Sequence, residues 1–122
     1  ETAVCDLITN MQNTRNLAEQ NTIRLQNQLA DVDNALAEAK RVYDLNKGLY
    51  EQKVISQQDF QSSKNMYEYQ VRRKDLTERQ LKADAATFAQ QIKQMEQSIA
   101  RTQVGLQIMR KKSDDLTVRA PV

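Results

Sequence analysis

Histidine and tryptophan are absent from this chain, cysteine and proline occur once each, and glycine occurs twice. Each shortage closes something off. Without histidine there is no imidazole to serve as a base or a metal ligand near neutral pH. A single cysteine, Cys5, permits neither an internal disulfide nor a cysteine-rich metal site. No apolar run with small residues precedes it, as lipid attachment would need. Two glycines and one proline make few turns, and 5% aromatic residues make a thin core. No window approaches about 18 uninterrupted apolar residues, so no segment is expected to span a membrane. With neither a leader nor an initiator Met, the chain reads as an excised piece or a mature segment.

A field of one sign is missing as well. The 122 residues carry 18 basic and 16 acidic side chains, scattered to a net +2. The densest basic runs, Arg72–Lys74 and Arg110–Lys112, are broken within a turn or two by Asp75, Glu78, Asp114 and Asp115. Such runs read as solvated helix faces, and no nucleic-acid partner is expected. No Gly-rich loop cradles phosphate, and the adjacent Asp114 and Asp115 point apart on a helix. Catalytic, cofactor and metal sites are all expected to be lacking.

What the chain has is period. Stepping by alternating four and three from Val4 through Met11, Ala18, Leu25, Val32 and Ala39 to Tyr50 visits 14 positions, 11 of them apolar or aromatic. A second series from Phe60 through Tyr67, Val71, Lys74, Glu78, Leu81 and Phe88 to Leu116 is apolar at 12 of 17. Sustained 3.5-residue repeats of this kind predict two long coiled-coil helices.

Between them lies "YEQKVISQQDF", without glycine or proline. Spacing alone allows one helix to run through it. Local chemistry favours a reversal. Val54 and Ile55 are adjacent β-branched residues of low helix propensity. Ser56 followed by Asp59 is an acidic capping box, in which the Ser56 hydroxyl accepts the Asp59 N–H. Lys47 and Lys53 suit the negative end of the first helix. A reversal pairs residues whose numbers sum to about 110: Tyr50 with Phe60, Tyr43 with Tyr67, Ala39 with Val71. The arms would be on the order of 75–85 Å long.

The expected fold is therefore all-α, a long antiparallel two-helix coiled-coil hairpin over residues 1–115. Its parts are helix 1 at about 3–52, a tip at about 53–56 and helix 2 at about 57–115. Val42, Leu45 and Leu49 form a second stripe near the tip, which either widens the seam or buries against another chain. The last seven residues, "LTVRAPV", alternate with period two and predict a short C-terminal β-strand over 116–122.

The hairpin, the tip and this exit together resemble the periplasmic adaptor, or membrane fusion, proteins. These are the HlyD-like subunits of tripartite efflux pumps and type I secretion systems. The resemblance covers nearly the whole chain, with the tip and the exit more specific than the heptads. It implies that residues 116–122 begin a lipoyl-like β domain, and that the protein is periplasmic and anchored at the inner membrane of a Gram-negative bacterium. It implies a tip that docks on a TolC-like outer-membrane channel, an ABC or RND transporter as inner-membrane partner, and a homo-oligomeric ring. The family tip motif R-x3-L-x6-S finds its Leu and Ser at Leu49 and Ser56, but its Arg position is Leu45. Either Arg41 or Lys47 supplies that charge, or the channel's tip differs. The expected partner-binding residues are Leu45, Leu49, Lys53, Val54, Ile55 and Ser56. The competing reading is a structural coiled-coil scaffold or tether that dimerises through its heptad seams.

Overall fold

The computed structural model describes residues 2–119, with side-chain environments for residues 2–116. It is all-helical: α1 spans Thr2–Glu51 and α2 spans Gln57–Arg119, and the two pack together. Contacts divide the chain into two units. One, the turn unit, is residues 21–84. The other, the terminal unit, takes residues 1–20 and 85–122.

The turn unit is an antiparallel pair. Cross-links step up one helix as they step down the other: Asn21 donates to Asp84 at 2.8 Å, and Lys74 meets Asp33 at 3.0 Å. The Tyr43 and Tyr67 rings stack with centroids 5.2 Å apart, and those of Tyr50 and Phe60 at 4.9 Å. Each stack adds about 0.5–1.5 kcal/mol beyond the apolar area it covers. On α1 the buried residues recur every seven: Leu25, Val32 and Ala39. Burying Leu25 and Val32 contributes roughly 1.5–3 kcal/mol each.

On α2 the buried residues also recur every seven, but they are Ser63, Gln70 and Thr77. Stepping for apolar residues led instead to Lys64, Val71 and Glu78. Val71 is 42% exposed and Glu78 is exposed, so this half of the facing stripe lies one residue, or about 100°, from that expectation, while Phe60, Tyr67 and Leu81 of the other half are half-buried. The reason is hydrogen bonding within the helix. The Ser63 hydroxyl donates to the Phe60 carbonyl and that of Thr77 to the Arg73 carbonyl, both at 2.8 Å. A hydroxyl satisfied this way can be buried at little cost against Leu25, Val32 and Ala39.

In the terminal unit, Arg15 and Glu96 form an ion pair at 3.0 Å with both side chains about half exposed. A pair so open to water contributes at most about 1 kcal/mol. Met11, Ile92, Met95 and Leu106 are half-buried, and no described residue of this unit is buried. Residues 107–116 are exposed throughout.

The strand expected over 116–122 is not what residues 116–119 form: Leu116–Arg119 continue α2. A strand's backbone groups are satisfied by neighbouring strands, and the described residues contain none. A helix satisfies its own. Ala120, Pro121 and Val122 lie outside the described residues.

Candidate docking tip

The reversal is built from two helix caps placed back to back. At the end of α1, Val54 N–H donates to the Leu49 carbonyl at 2.8 Å and Lys53 N–H to the Tyr50 carbonyl at 2.9 Å. This crossed pair is a Schellman motif, with Lys53 at the left-handed position that glycine normally takes. Its φ is 62°. For a residue with a Cβ that conformation costs roughly 1–2 kcal/mol. At the start of α2 the Ser56 carbonyl accepts Phe60 N–H at 3.2 Å, and the Ser56 hydroxyl accepts Asp59 N–H at 3.1 Å. Asp59 brings negative charge to the first turn of α2. The last turn of α1 holds no basic residue, and Lys53 lies just beyond it.

The six residues expected at the site differ in what they offer a partner. Val54 is 65% exposed and Leu45 54%. Lys53 is exposed, while Leu49 and Ile55 are half-buried, so Ile55 belongs partly to the packing beneath the tip. Ser56 is exposed, but its hydroxyl is committed to the cap. The result is an apolar knuckle at Val54 above a cation at Lys53.

The two candidate cations behind the tip are not equivalent. Arg41 donates through Nε and a terminal nitrogen to both oxygens of Glu38, at 3.1 and 2.6 Å. Those hydrogen bonds, and the arginine charge behind them, hold the Glu38 carboxyl below the ordinary carboxylate range and raise Arg41 further. Lys47 is exposed and makes no ion pair among the described residues. It is the better placed of the two to meet an anionic partner.

Beside the tip, on the first two turns of α2, Gln57, Gln58, Gln61, Ser62 and Asn65 line an open hollow of about 430 Å³. Gln61 donates to Asn65 at 2.9 Å across it. The sequence reading did not single out this uncharged face. Its signal was six amide or hydroxyl side chains in the nine residues 57–65, with no charge but Asp59 and Lys64. Among the described residues no group of three or more Cys, Asp or Glu could hold a metal ion. Among the described residues no helix is long and apolar enough to cross a membrane.

Compared with protein-family models, with curated proteins and with solved structures, the chain matches none.

Proposed function

We propose that the chain is the helical hairpin of a periplasmic adaptor protein, and that its tip docks on a TolC-like outer-membrane channel. The observation that carries this reading is the reversal itself. It ends a long helical pair in a knuckle of Val54, Lys53 and Ser56, with chemistry concentrated at one end of an otherwise solvated pair. A helical pair that ends in an exposed turn suits a docking device. Val54 and Leu45 would supply apolar contact in a groove between channel helices, and Lys47 the charge that the family motif places at residue 45. In the full-length protein, residues following α2 would enter a lipoyl-like domain. The ring would form around an ABC or RND transporter at the inner membrane.

The rival reading, a scaffold that dimerises as a continuous rod, needs helix through residues 52–56, where the chain turns back. The discriminating experiment is export by cells that depend on the full-length protein. Leu49→Glu and Val54→Glu are expected to abolish export while the helical content by circular dichroism stays unchanged. Normal export in folded variants would show that the tip is not the docking site.

A further inference from the structure

Residues 52–56, which reverse the chain, are held from within by bonds that lie open to water. Lys53 N–H reaches the Tyr50 carbonyl and Val54 N–H the Leu49 carbonyl, and Lys53 and Val54 are both exposed. A hydrogen bond in such surroundings is worth little net, since water offers the same partners. Lys53, at a φ of 62°, gives part of that back. A residue in this conformation persists where its surroundings over-determine it. Here those surroundings are aromatic. Four rings on one flank alternate between the helices in the order Tyr50, Phe60, Tyr43, Tyr67. Phe60 of α2 stacks on both rings of α1, 4.9 Å from Tyr50 and 5.8 Å from Tyr43, and Tyr67 continues the ladder 5.2 Å from Tyr43. The planes of Tyr50 and Phe60 lie within 6° of parallel. The backbones of this top pair belong to the two caps. The Tyr50 carbonyl accepts Lys53 N–H, and Phe60 N–H donates to the Ser56 carbonyl at 3.2 Å. The stack therefore ties one cap to the other. The opposite flank carries an apolar groove instead, where Gln70 Oε1 is buried without a hydrogen-bond partner.

We propose that Tyr50 and Phe60 are positioning residues: their stack fixes the pose of Lys53 and Val54, so that the knuckle meets its partner already shaped. This role rests on the docking reading of the tip. Turning either helix end about its axis, as a change of shape in the reversal requires, pulls Phe60 off two rings at once. A loop held in its bound shape loses less freedom on binding, so the same contacts bind more tightly. Phe60 is half-buried and acts through Val54, which is 65% exposed.

The first readout is amide hydrogen exchange in the 122-residue chain, which involves no partner. Phe60→Leu keeps an apolar side chain but has no face to stack. In it the Lys53 and Val54 amides are expected to exchange about tenfold faster, while those of Leu25 and Val32 change by less than about twofold. Phe60→Tyr keeps a ring and should hold Lys53 and Val54 at their original rates. Rates at Lys53 and Val54 that do not rise, or that rise only in step with Leu25 and Val32, overturn the proposal. The second readout is export by cells that depend on the full-length protein. Phe60→Leu should lower it several-fold, and Phe60→Tyr should restore it. Export that is lost in Val54→Glu but normal in Phe60→Leu overturns the positioning role and leaves the docking tip standing. Normal export in both variants removes the docking reading, and the positioning role with it.

Discussion

The turn unit and the terminal unit share one heptad grammar and differ in depth. All the buried residues described, Leu25, Val32, Ala39, Ser63, Gln70 and Thr77, belong to the turn unit. The terminal unit turns Met11, Ile92 and Met95 inward but covers them only in part. Periodicity decides which face of a helix turns inward. How far a side chain sinks depends on what roofs it. In the turn unit Tyr43, Phe60 and Tyr67 cover one flank, and the caps hold the two helices together over a short loop, so little closure entropy is spent. Among the described residues of the terminal unit, Arg15 pairs with Glu96 in the open and a few side chains are half-covered.

The largest expected effect sets the two units against each other. Leu25→Ala should cost about 3 kcal/mol, as a full cavity does, and Ile92→Ala about half of that because its side chain is already partly wet. Urea unfolding combined with residue-resolved hydrogen exchange reads both, and equal costs would break the contrast. Gln70→Leu comes next. Removing an unpaired buried carbonyl should raise the stability of the turn unit by about 1–2 kcal/mol, measured at dilute concentration. A loss instead would mean that Gln70 Oε1 has a partner. Lys53→Gly is the smallest, about 1 kcal/mol of stabilisation from relieving the left-handed residue. Its effect should be confined to amides near the reversal, leaving the terminal unit unmoved.

Much of this was legible in the residues, and the failures have physical causes. The α1 stripe could be read directly, because Leu25, Val32 and Ala39 are both apolar and inward. Ser56 and Asp59 announced the start of α2, since a hydroxyl three residues before an acid has one obvious backbone donor to accept. Half of the α2 stripe, Phe60, Tyr67 and Leu81, is apolar and legible, whereas the half at Ser63, Gln70 and Thr77 could not be read by hydrophobicity, because Ser63 and Thr77 hide their polarity in bonds to their own helix. The form of the turn after α1 was not legible, because Lys53 occupies a conformation that sequence rules assign to glycine. Alternation in "LTVRAPV" pointed to a strand, but alternation is only a pattern until a neighbouring strand exists to pair with, and Leu116–Arg119 are helical. At the tip, the exposure of Val54 was foreseeable from its place in the turn. The half-burial of Ile55 and the capture of Arg41 by Glu38 depend on how the folded helices place these side chains.

The central claim is that one chain folds back upon itself so that α1 and α2 meet. Its most direct test is nuclear Overhauser contact between the ring protons of Tyr43 and Tyr67, whose centroids lie 5.2 Å apart. The sample should be isotopically labelled chain diluted with a large excess of unlabelled chain. Strong cross-peaks that survive the dilution are expected. Cross-peaks that are missing, or that fade as unlabelled chain is added, would contradict the hairpin.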